Sequence, residues 1–185
     1  MENIQKTLAL LYTNATIRDA FLENPKTALR ELGLSEKEIA IVASISAEEL
    51  TYFSNSLLKK RFYHIQKLLP LTSKILKKDS FALFQLFAKS YTPTGIHKHI
   101  DDAIFFASFL IRKEQNIVNK KIFLYEKTNL IFWNKVSYFF CIQIYFFPLK
   151  DLVNHLENTH NKKTVCISIW LRFSKSFYHK IFCIL

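Results

Sequence analysis

Apolar positions recur every three to four residues up to about residue 112 and lose that period beyond it. In the first stretch each apolar run carries a physical start signal. Asn24 followed by Pro25 predicts an N-cap with proline at the first helical position, and Gly33 ends that helix by accepting a left-handed conformation. Ser35 with Glu38, and Ser46 with Glu49, have capping-box spacing, in which side chain and backbone satisfy each other's orphan donors. Asp79 stands where it can cap a helix carrying Phe81, Leu83, Phe84 and Phe87. A helix from Ser46 to Leu69 places Leu50, Phe53, Leu57, Leu58, Ile65, Leu68 and Leu69 on one broad face, with Arg61 in its middle.

Past residue 112 there is no glycine, one proline (Pro148), and nine of the 18 phenylalanines. Cap logic has little to grip there, so apolar period and β-forming residues decide. Tyr125 to Trp133 and Pro148 to Asn158 read as helical, Val136 to Phe147 as a strand or a buried helix, and Thr164 to Phe173 alternates as a strand does. The 14 residues between Lys135 and Lys150 are too few for a membrane span, which needs about 20. The expected architecture is mostly α: a compact multi-helix domain over 1–112, and an aromatic, basic part over 113–185 that packs on it and adds a few short strands.

Charge changes this picture by its placement. Residues 1–50 carry five basic and eight acidic side chains, whereas residues 51–100 carry nine and one. The overall net charge is +11, so an acidic start is followed by a basic body that attracts nucleic acid, anionic lipid or an acidic protein. Cys141, Cys166 and Cys183 form an odd set without C-x-x-C spacing, which reads as free thiols in a reducing cytoplasm. Leu8 to Leu11 is too short for the apolar core of a signal peptide, and the chain is expected to be unexported.

Candidate chemistry gathers at two places. Arg61 sits among leucines, and an unpaired buried charge is costly, so a carboxylate, a bound anion or a snorkelling path must meet it. Asp101 or Asp102, with His99 as a hydrogen-bonding neighbour, is the expected structural ion-pair partner. In "GIHKHIDD" a helix capped near Thr94 would hold His97 and His99 about 200° apart, which prevents them from chelating one ion. On that helix Ile96, Ile100, Ala103, Ala107 and Ile111 form the expected buried stripe, and Phe105 and Phe109 lie opposite it and must be covered. "HLENTH", His155 to His160, lacks the spacing of four that brings two imidazoles together. With Gly33 and Gly95 alone the chain cannot build glycine-loop nucleotide motifs, and no nucleophile with a recognisable partner is visible. No cofactor, no metal and no enzymatic activity is expected.

Ser56 to Lys78 carries seven basic residues and no acid, with Lys59, Lys60, Lys67, Lys74, Lys77 and Lys78 as candidate phosphate contacts. Leu11 to Arg61 ("LYTNATIRDAFLENPKTALRELGL…SLLKKR"), continued by "LLPLTSKIL" and "PTGIHKHIDDAIFFASFL", resembles a family of uncharacterised bacterial and cyanobacterial proteins. The N-terminal module with its Phe-Leu-x-x-Pro and Leu-Gly-Leu elements is similar to small partner proteins of iron-dependent peptide-modifying enzymes. That similarity implies a docking role shaped by Phe21, Leu22, Pro25, Leu32 and Leu34, and carries over no catalytic residue. The expected function is an accessory or scaffold protein binding a protein partner or a second copy, with nucleic-acid binding through residues 56–78 as the alternative.

Overall fold

Short helices with strong start signals make up the beginning of the chain: α1 (Glu2–Thr13), α2 (Ala15–Glu23), α3 (Pro25–Glu31) and α4 (Glu36–Val42). None is long enough to be stable alone, so packing must hold them. Leu11, Phe21, Leu29, Ile39, Val42 and Leu50 supply it in one apolar cluster, each worth about 1.5–3 kcal/mol on full burial. The caps set where each helix begins. Asn14 accepts from the Ile17 amide (3.2 Å), Asn24 accepts from the Thr27 amide (3.3 Å), and Pro25 follows at the first position. Gly33 then turns the chain at φ +80°, a conformation that strains a residue with a Cβ. The Ser35 amide donates to the Glu38 carboxylate (2.9 Å), and that carboxyl is held below the usual range by the Ser35 hydroxyl and amide.

The computed structural model describes residues 2–134, 139–155, 164–173 and 176–184. It divides into two compact units, one formed by Met1–His64 and Phe81–Thr94, the other by Ile65–Ser80 and Gly95–Leu185. Beyond α4 the order is α5 (Ala47–Leu68), α6 (Pro70–Leu76), a 3-10 turn at Lys77–Asp79, α7 (Ser80–Ala88), α8 (Lys98–Lys113), α9 (Ile117–Asn134), β1 (Phe139–Tyr145), α10 (Leu149–His155), β2 (Val165–Phe173) and β3 (Ser176–Ile184). The fold is therefore mostly α with a small antiparallel sheet, as the pattern predicts. No helix among the described residues is long and apolar enough to cross a membrane.

In the second unit, α8 passes to α9 through Glu114, Gln115 and Asn116. The Glu114 carboxylate accepts from the Gln115 and Asn116 amides (2.9 Å each), and Asn116 caps α9 by accepting from Val118 and Asn119. The sheet has the order β1-β2-β3, both pairs antiparallel. Its inner face turns Tyr145, Cys166 and Trp170 toward Ile122, Tyr125 and Phe132 of α9 in one apolar cluster of the unit.

Several expectations need correction. Phe53 and Leu57 do not join the buried face of α5: they are 51% and 37% exposed, and the stripe that is covered runs through Leu50, Ser54 and Ile65. A helical wheel ranks positions by angle alone and cannot tell how wide a stripe its neighbours cover. The helix expected from Thr94 begins at Lys98 with His97 at the N-cap, because Gly95 at φ +83° breaks the backbone first. Ile96 consequently lies outside the helix and is 95% exposed instead of buried. β3 was not foreseen as an element. Cys166 and Cys183 are not free thiols: they stand opposite each other in β2 and β3, with Cα atoms 4.1 Å apart, and form a disulfide. Directly opposed cross-strand positions bring Cβ atoms within bonding reach, which spacing along the chain does not reveal. With Cys166 and Cys183 joined, cysteine usage no longer points to a reducing compartment, and Cys141 alone remains a thiol.

Candidate functional site

α5 positions the first candidate surface. Its start is fixed by the capping box: the Glu49 amide donates to the Ser46 hydroxyl (3.1 Å) and the Ser46 amide to the Glu49 carboxylate (3.2 Å). From that start, Leu50 and Ser54 face inward. Tyr52, Ser56, Lys59, Lys60 and Tyr63 fall within about 100° of one another on the opposite side, at about 100° per residue. Tyr52 is 73% and Tyr63 54% exposed, and Lys59 and Lys60 are exposed between them. With Asn55 and His64 these residues line an open concavity of about 600 Å³. Flat rings interleaved with ammonium groups suit an anionic partner, through stacking and phosphate or carboxylate contacts.

Arg61 is half-buried on the inner side of α5. Its Nη2 donates to the Tyr91 carbonyl (3.1 Å), and its guanidinium lies over the Phe84 ring at 5.4 Å from the centroid. Both contacts belong to the first unit, whereas Asp101, Asp102 and His99 belong to the second. Asp102 is 1% exposed, and Asp101 and His99 are half-buried. Lys67, Lys74, Lys77 and Lys78 are exposed in the second unit, Lys67 in the last turn of α5. No group of three or more His, Cys, Asp or Glu that could hold a metal exists among the described residues. The "HLENTH" stretch lies outside them except for His155.

The second unit contains a polar cluster that the sequence did not single out. Glu126, 5% exposed, accepts from the Leu71 and Thr72 amides and from the Thr72 hydroxyl. Burial pushes its carboxyl above the usual range, against the pull of the hydrogen bonds. The Tyr145 hydroxyl donates to Gln143, whose Nε2 donates to Thr128 (2.8 Å), and the Trp170 indole donates to Asn129. His179 stacks on Trp170 at 4.9 Å with planes 16° apart, and burial lowers its imidazole pKa. Burial likewise raises the Tyr125 and Tyr145 phenols. Every one of these groups is driven toward its neutral form, which makes the cluster a hydrogen-bonded lock between α6, α9 and the sheet.

The outer face of the same sheet is the larger anomaly. The register sets Phe140 beside Leu171, Ile142 beside Ile169 and Ile144 beside Ile167, then Ile167 beside Phe182 and Leu171 beside Tyr178. Phe140 is 61%, Ile142 49%, Tyr178 50% and Phe182 44% exposed. Lys180 is the one charged residue on this face among the described residues, and its ammonium sits 5.0 Å from the Phe182 ring centroid.

The chain matches no protein-family model and no curated protein sequence.

Proposed function

We propose that this chain is an accessory or scaffold protein that binds a protein partner, and that the outer face of its sheet is the principal contact. The observation that carries the reading is the apolar, solvent-facing side of β1, β2 and β3. Monomeric proteins rarely expose contiguous apolar patches beyond a few hundred Å², and larger ones mark interaction sites. The resemblance of the first helices to small partner proteins of modifying enzymes points the same way. Immobilised wild type and the Ile142→Lys, Phe182→Lys double variant, each exposed to lysate of the source organism, test it: a protein retained by the first and lost by the second supports docking here, and equal recovery contradicts it.

The stripe of α5 favours a second reading, nucleic-acid binding by Lys59 and Lys60 with Tyr52 and Tyr63 as stacking platforms. Titration of salt against random-sequence DNA decides: a binder gives a steep negative slope of log affinity against log salt, reduced by about one per phosphate-contacting lysine removed. Absence of binding at moderate salt removes this reading.

A further inference from the structure

We infer that the occupant of the outer sheet face is a second copy of this chain, packed sheet on sheet about a two-fold axis. This rests on the docking reading and commits it to one partner.

The first argument is area. The exposed aromatic residues of the face, each presenting on the order of 200 Å² in full and here about half exposed, together with the half-exposed aliphatic residues between them, leave about 700 Å² accessible. Standard protein interfaces bury about 800 Å² per partner, so one such face meeting another reaches the size that stable dimers need.

The second argument is self-complementarity. A two-fold interface pairs a patch with itself, so a patch rich in one sign of charge is excluded, whereas a neutral apolar patch qualifies. This face carries no acid and a single lysine among the described residues. An acidic partner drawn to the +11 chain would find only Lys180 to pair with here. Ile142, Ile144, Ile167 and Ile169 form a branched aliphatic centre flanked by aromatic rings, the composition that interdigitates when two sheets pack about 10 Å apart.

The third is the place of Lys180. It lies on β3, an edge strand of the sheet. Its ammonium lies 5.0 Å from the Phe182 ring centroid, so the one charge this face carries already rests on a ring of the face, a partner that Phe182→Lys removes.

Sedimentation velocity on the full chain tests this, from 1 to 100 µM on the order of typical homodimer constants, with wild type, Ile142→Lys, Phe182→Lys and Ile41→Lys; Ile41 is an exposed residue of the first unit. Circular dichroism confirms that each variant folds. The expected result is a wild-type dimer, weakened about 100-fold or more by either sheet variant and unaffected by Ile41→Lys, because a lone charge buried in an apolar interface costs several kcal/mol. Added salt should strengthen the dimer, since it screens repulsion between two copies of like charge. A chain monomeric throughout the range overturns the proposal, as does a dimer that both sheet variants leave intact. Flotation with phosphatidylcholine–phosphatidylglycerol vesicles separates the failures. A monomer that floats through this face has a membrane for its occupant, which overturns the dimer while keeping an apolar docking face; a monomer that neither floats nor captures a partner overturns the docking reading as well.

Discussion

Glu126 caps a helix through a residue 54 positions before it: its carboxylate accepts from the Thr72 amide at 2.8 Å and from the Thr72 hydroxyl at 2.6 Å. The Leu71 amide donates to the other oxygen at 2.8 Å. Leu69 and Pro70 at the start of α6 offer no side-chain acceptor, so a residue of α9 fills the role that Ser, Thr or Asp plays locally elsewhere. Glu126→Ala leaves two amides and a hydroxyl buried without partners and should cost about 2–5 kcal/mol. Glu126→Gln keeps one acceptor oxygen and should cost less than half as much. Urea unfolding followed through the buried Trp170 measures both.

The same carboxyl gives a pH dependence of definite sign. Its pKa is raised in the folded state by burial, so the folded chain binds the proton more tightly than the unfolded one. Stability contributed this way is fully present below the unfolded value near 4.5 and is lost as pH rises through the folded value. Glu126→Gln lacks that titration, so the difference between the wild-type and variant stability–pH curves should fall as pH rises through the folded value. A difference curve that is flat above the ordinary glutamate range would show the carboxyl to be unperturbed.

The disulfide closes a loop of 17 residues, which on the chain-entropy view stabilises by about 3 kcal/mol. Reduction, or Cys183→Ala, should lower the unfolding midpoint accordingly, while Cys141→Ala should change it far less. Thiol titration of the unfolded, unreduced chain should find one reactive thiol.

Arg61 is held by the Tyr91 carbonyl and the Phe84 ring. Arg61→Met removes the donor and the cation while keeping the stem, and should destabilise by about 1–3 kcal/mol. Lys59→Met, two residues away on the exposed side, should stay within about 0.5 kcal/mol. Thermal unfolding of the two variants gives the contrast, and equal effects would show that Arg61 is an ordinary surface charge.

The helices up to α5 were legible because their signals are local: Asn24 before Pro25, Ser35 with Glu38, and Ser46 with Glu49 each cap a helix with groups three residues apart or fewer. What depends on distant partners was not legible. Glu126 reads as an ordinary helix glutamate until α6 is placed beside it, and Cys166 and Cys183 need the register of the hairpin. β3 escaped because its two faces are both largely apolar, Ile181 and Cys183 on one and Tyr178, Phe182 and Ile184 on the other, so a period of two leaves no polar alternation to see. That same double-sidedness makes its outer face an interaction surface. The basic stripe of α5 was legible as charge, but the exposure of Tyr52 and Phe53 beside it was not.

Photo-cross-linking from within the outer face tests the central claim most directly. With p-benzoylphenylalanine in place of Phe140, a conservative replacement at a 61% exposed position, irradiation should join the chain covalently to a second polypeptide, and the same group at Ile41 should not. A face that yields no cross-linked polypeptide, or no more than Ile41 does, would contradict the account.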